Sequence, residues 1–166
     1  NTAFPPPDAT FRDGDRFLLF YRGWRSAEAK DDACYCLAES PDGIRWTRAD
    51  LALHPFKGRS RTNIILAGCK ATHSFSPFLD TRPDCARKER FKALGLIPGR
   101  LKGSDLGAFV SPDGIRWKPM RKEAVIPRLP EDPHAFDSQN VAFWSEAEGR
   151  YVSYFRTWSG GQRRIS

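Results

Sequence analysis

Several features are scarce in this chain of 166 residues, and each scarcity removes a class of protein. Four cysteines (Cys34, Cys36, Cys69, Cys85) are too few for a disulfide scaffold of this length and do not form the paired C-x-x-C knuckles of a zinc site. They read as structural thiols, with Cys34 and Cys36 on one face of a strand. No run approaches the roughly 20 apolar residues that cross a bilayer, so no membrane partner is expected. No long segment carries a 3.6-residue apolar period; 26–33 and 84–90 amount to loop or a short helical turn. A phosphate-cradling glycine loop, a serine-centred nucleophile elbow and a metal-binding histidine pair are all lacking, so neither cofactor nor metal is expected. Met120 is the sole methionine, and the opening stretch NTAFPPPDAT has neither the charged nor the apolar region of a signal peptide. The chain therefore reads as a processed or truncated product.

What is present is a globular composition, 40% hydrophobic and 28% charged, at a length that suits one domain. Thirteen glycines and thirteen prolines lie between short apolar runs, which implies many turns. The net charge of +7 is spread along the chain. Its densest runs, Lys57-Gly58-Arg59-Ser60-Arg61 and Arg87-Lys88-Glu89-Arg90, are loop charges without a recognition helix or an RNA motif, so nucleic acid is not an expected partner.

Self-similarity organises the sequence. Ser40-Pro41-Asp42-Gly43-Ile44-Arg45-Trp46 recurs residue for residue as Ser111-Pro112-Asp113-Gly114-Ile115-Arg116-Trp117. The chemistry is that of a hairpin: Pro fixes φ early in the turn, Asp hydrogen-bonds its backbone, Gly takes the positive-φ position, and Ile-x-Trp is expected to start the returning strand. A second element, a polar turn followed by a basic residue and an aromatic-rich strand, occurs at 14–22, 88–94 and 148–156. Further apolar runs precede its second and third copies. The order strand, basic-aromatic strand, strand, hairpin, strand makes four-stranded antiparallel meanders. Such units are β-propeller blades, and about two and a half fit here, near 10–53, 72–120 and 137–166. The fold class is thus all-β, a partial β-propeller in a single domain. Ring closure would need further blades of the same protein or a self-association partner.

The two hairpins, together with strand pairs such as Asn140-Val141-Ala142-Phe143-Trp144 leading to Tyr151-Val152-Ser153-Tyr154-Phe155-Arg156, resemble the five-bladed propeller glycosidases, similar to glycoside hydrolase families 32 and 43. The resemblance implies an oligo- or polysaccharide bound in an axial funnel, acidic residues from the innermost strands acting on it, and a secreted or periplasmic location. Cleavage of a glycosidic bond normally takes one protonated carboxyl and one carboxylate. On that reading Asp137 is the best single carboxylate, with His73 and Glu39 as further candidate catalytic groups.

Ser138, Gln139 and Asn140 follow Asp137 and suit a hydroxyl-rich ligand, or else form a turn with Asx hydrogen bonds at the start of a strand. His73 either faces the funnel or is a hydrogen-bonded strand residue. Lys92 interrupts an apolar strand and either snorkels to solvent or points into a polar channel. Glu39 has Val110 as its counterpart in the second copy, so the hairpin does not require it. Arg156 is a candidate sugar ligand. Asp80 and Asp84 read as members of a solvated loop, and Asp42 and Asp113 as turn formers. Blade one lacks the clear acidic start of the glycosidase pattern.

Two rival readings remain. Sialidases share a Ser, Asp, Gly and Trp hairpin with different spacing and bind a carboxylate sugar through arginines, a role open to Arg22, Arg156, Arg163 and Arg164. A non-catalytic carbohydrate-binding or degenerate propeller would use the aromatic-rich strands as stacking faces.

Overall fold

The structure, a computed structural model, describes residues 8–25, 32–99, 103–132 and 134–166. The loop expected at 26–31 and the proline segment at 5–7 lie outside the described residues. The described chain is all-β apart from two 3-10 turns, and it divides into two compact units, Asn1–His73 and Ser74–Ser166. Its four-stranded antiparallel meanders are those of a partial β-propeller. No helix among the described residues is long and apolar enough to cross a membrane.

In the first unit β1 (Ala9–Asp13), β2 (Arg16–Trp24), β3 (Ala33–Ser40) and β4 (Thr47–Arg48) form the expected meander, and β5 (Ile64–Ala67) adds a fifth strand beside β3. Register pairs Phe20 with Leu37 and Tyr21 with Cys36. Because side chains alternate, Leu18, Phe20 and Leu37 occupy one face, and Leu19, Tyr21, Cys34, Cys36 and Ala38 the other. All are buried, which is why β2 and β3 read as nearly continuous apolar runs. The free thiols of Cys34 and Cys36 lie 3.9 Å apart in that second face, a packing role as the sequence suggests.

In the second unit β6 (Ser76–Leu79), β7 (Phe91–Pro98), β8 (Ser104–Ser111) and β9 (Lys118–Pro119) repeat the meander. Two hairpins follow, β10 (Val141–Ser145) with β11 (Arg150–Tyr154), and β12 (Arg156–Ser159) with β13 (Gln162–Ile165). The aromatic strand expected through Arg156 is therefore broken at Phe155, whose ring turns inward against Phe136 at 5.2 Å. Leu94, Leu106 and Phe136 form the core there.

The repeated heptapeptide folds the same way twice. Ser40 Oγ accepts from the amides of Asp42 (3.2 Å) and Gly43 (2.8 Å), and Asp42 Oδ1 accepts from those of Ile44 (2.9 Å) and Arg45 (2.8 Å). The second copy has 3.2, 2.9, 2.9 and 2.8 Å at the same places. Gly43 and Gly114 both sit at φ 74°, the left-handed region that glycine enters without strain. One expectation needs correcting. The returning strand begins after the Trp rather than at Ile-x-Trp, because the Asp carboxylate has already engaged the amides of the Ile and the Arg.

Candidate functional site

The segment leading to Asp137 is fixed by unusual backbone geometry. Phe136 is a buried non-glycine residue at φ 66°, a conformation that L side chains rarely adopt. Its ring is locked in the second unit's core, and its amide donates to the Arg156 carbonyl at 3.1 Å. Asp132, also buried, accepts from the amides of Trp158 (2.7 Å) and His134 (3.2 Å), and so ties the preceding loop to β12. Asn140 is fully buried and closes the other side: its Nδ2 donates to the carbonyls of Phe136 (3.2 Å) and Ser138 (3.0 Å), and its amide donates to Ser76 Oγ (3.3 Å).

This framework presents Asp137 outward. Its Oδ2 accepts from an Arg156 terminal nitrogen at 2.8 Å, while the Asp137 side chain remains 61% exposed and that of Arg156 only 13%. The same Arg156 nitrogen donates to the His134 carbonyl at 2.8 Å, and its Nε is buried without a hydrogen-bond partner. Asp137, Ser138, Gln139 and Arg156 line one pocket of about 620 Å³, together with Tyr154, Phe155 and the cations Arg163 and Arg164. That volume suits a small-molecule ligand. The structure thus gathers four of the residues nominated from sequence, and three of the arginines considered for a carboxylate sugar.

Asn140 is placed otherwise, since a side chain with no exposed surface holds the turn and touches no ligand. Lys92 lies on β7 with its ammonium 2.6 Å from Asp80 Oδ2, 3.3 Å from Cys85 Sγ and 2.9 Å from the Glu89 carbonyl. It neither snorkels nor reaches the pocket around Asp137. Asp80, read as a solvated loop residue, has a fully buried side chain and also accepts from the Tyr151 hydroxyl at 2.7 Å; the strand pairing that buries Lys92 draws its counter-ion inward. Asp84 is exposed as expected. Burial works to raise the Asp80 carboxyl, and hydrogen bonds from Cys85, Lys92 and Tyr151 overcome it and hold the group at about 2. Burial also works against the Lys92 ammonium, but Asp80 and Cys85 raise its pKa on balance.

The remaining nominees belong to the first unit. Glu39, at the end of β3, pairs with Arg16 at 2.7 Å. His73 ends the 3-10 turn Lys70–His73, is exposed, and accepts from Arg22 through its carbonyl at 2.7 Å. Sequence reasoning missed Phe136 and Asp132. Nothing in the local sequence marks Phe136 as left-handed, whereas Asp132 ahead of a proline is a turn signal that was available. Among the described residues no group of three or more His, Cys, Asp or Glu is arranged to hold a metal ion.

No family model matches the chain, and no curated protein matches it. Among solved structures, one described as "Glycoside hydrolase" aligns over 95% of this chain and 51% of its own, with TM-score 0.58 and 11% identity. The chain has a glycosidase-like fold. A second structure, a complex of BT0996 and RGII, aligns over the same shares with TM-score 0.57 and 11% identity. The chain therefore spans about half the length of both structures. A third, "The GH130 family of mannoside phosphorylases contains glycoside hydrolases that target beta-1,2 mannosidic linkages in Candida mannan", aligns over 89% of this chain and 40% of its own, at TM-score 0.48 and 18% identity.

Proposed function

We propose that this chain is part of a propeller glycosidase of the five-bladed kind resembling families 32 and 43, acting on an oligo- or polysaccharide at the pocket around Asp137. The observation that carries this reading is the presentation of Asp137 on a strained, core-anchored backbone beside Arg156 in a pocket of about 620 Å³. Backbone strain of this kind persists only where the surroundings over-determine it, and it clusters at functional sites. The fold likeness to a glycoside hydrolase supports the same reading.

In this proposal Asp137 serves as the carboxylate, as base or nucleophile. Arg156 orients it through a charge-assisted hydrogen bond, and the unpartnered Arg156 Nε is a donor in reserve. Ser138 and Gln139 pair with sugar hydroxyls. Glu39 and His73 remain the nominees for the second acid/base group. Blade limits near 10–53, 72–120 and 137–166 belong to the same proposal.

One observation favours binding without cleavage: Asp137 is the sole carboxylate among the residues that line its pocket. The experiment that separates the two readings incubates the chain and its Asp137→Asn variant with a panel of plant and fungal oligosaccharides. Released sugar and binding are both followed. Release by the parent and none by the variant is expected, with binding retained by both. Equal release by the variant overturns the assignment of Asp137, and binding by the parent without release establishes the non-catalytic reading.

A further inference from the structure

The first unit holds a pocket of its own, about 750 Å³, which the carbohydrate reading does not use. Its floor is the second face of the β2–β3 pair: Tyr21, Cys34, Cys36 and Ile64, with Gly23 leaving the centre open. A Cβ at Gly23 would lie 3.3 Å from Cys34 Sγ and 3.4 Å from Cys36 Sγ, so the absence of a side chain there keeps the floor accessible. Above this apolar floor the rim is cationic. Arg25, Arg48, Lys57, Arg59 and Arg61 line it against one carboxylate, Asp50.

That carboxylate is already engaged, since Arg61 Nε donates to Asp50 Oδ2 at 2.8 Å, and Arg25 pairs with Asp32. Lys57 and Arg59 have no carboxylate partner among the described residues. Both are carried by a tight turn in which Phe56 and Arg59 exchange two backbone hydrogen bonds of 3.0 Å. Lys57 (φ 48°) and Gly58 (φ 76°) both occupy the left-handed region that a type I′ turn requires. A lysine held there is strained, and the strain fixes two cations over the pocket mouth next to the Phe56 ring, 5.3 Å from the Lys57 ammonium.

We propose that this pocket is a second binding site, for a small organic molecule bearing a tetrahedral oxyanion ester, phosphate or sulfate. The Lys57 point charge and the Arg59 fork would take the oxyanion. Tyr21, Phe56 and the sulfurs would take the apolar part, and Asn63 and Thr62 supply polar contacts at the wall. The site stands independently of the sugar pocket.

The test titrates the full 166-residue chain with phenyl phosphate, phenyl sulfate and the neutral phenyl glucoside, following backbone amide NMR shifts. Phenyl phosphate is expected to move the amides of Gly23, Gly58 and Asn63, and to bind less tightly as salt rises. The exposed double substitution Lys57→Ala/Arg59→Ala should weaken it by at least about tenfold. Lys118→Ala/Lys122→Ala, with the same change in charge on the second unit, should leave affinity unaltered. Binding of both esters assigns the site to either class, and binding of the phosphate alone narrows it to phosphate esters. No shift with either ester, equal binding of the glucoside, or equal weakening by the two double variants would overturn the proposal.

Discussion

The second unit contains two carboxylate–cation pairs of similar length and opposite setting. Asp80 and Lys92 meet at 2.6 Å with side chains 0% and 9% exposed; Asp137 and Arg156 meet at 2.8 Å with Asp137 61% exposed. The first pair is closed on every side by Tyr151, Cys85 and the Glu89 carbonyl. The second is held from behind by a rigid frame and open in front. A buried pair of charges is kept because removing one partner strands the other, whereas an exposed pair contributes little stability and leaves its carboxylate available for chemistry.

Breaking the buried pair should have the largest effect. Asp80→Asn leaves the Lys92 ammonium buried without its counter-charge and is expected to cost about 3–5 kcal/mol in urea unfolding. If Asp80→Asn unfolds at the parent's midpoint, the pair is not a closed structural element.

Acid should sharpen the same contrast. The Asp80 carboxyl is depressed to about 2 in the folded chain, against about 3.9 in an unfolded one, so its contribution is complete above the unfolded value and is lost as pH falls from about 4 through 2. Lys92 has its folded pKa raised, so its contribution is complete below about 10.4 and fades above that. Thermal melts across pH should show a loss below about 4 that Asp80→Asn diminishes.

A third measurement tests the repeat. Asp42→Ala and Asp113→Ala remove the same set of turn hydrogen bonds, and each should cost about 1 kcal/mol. The Asp42 carboxyl is held low by the Arg45 and Ile44 amides; for Asp113 burial raises the pKa, and the Arg116 and Ile115 amides outweigh it. Unequal losses in chemical denaturation would mean that the strands flanking the hairpins, rather than the shared turn chemistry, set the cost. The smallest effect is expected for Asp137→Asn, which should shift the unfolding free energy by less than about 1 kcal/mol. A larger loss would mark Asp137 as part of the fold's framework.

The legible parts of this protein were those in which neighbours in sequence are also the chemical partners. Ser40, Asp42 and Gly43 satisfy one another's backbone within a few residues, so the hairpin and its repeat could be read directly, as could the two meanders they join. Asp137 stood out because it precedes three hydrogen-bonding residues and an apolar strand. Asp80 was misread because its partners Lys92 and Tyr151 lie on other strands, and a loop carboxylate looks solvated until a distant cation is brought to it. Asn140 likewise turned from a candidate ligand into a buried brace once Ser76 was placed beneath it.

By itself, the sequence determined the all-β architecture, the positions of the turns and the placing of the thiols, because alternation, proline, glycine and Asp-backbone bonding act over a few residues. Only the tertiary structure decided which charges are sealed and which are open, that Phe136 is left-handed behind Asp137, and that the basic run at 57–61 rims a pocket floored by Tyr21, Cys34 and Cys36. Burial and long-range pairing are properties of strands brought together from far apart in the chain, and no local pattern encodes them.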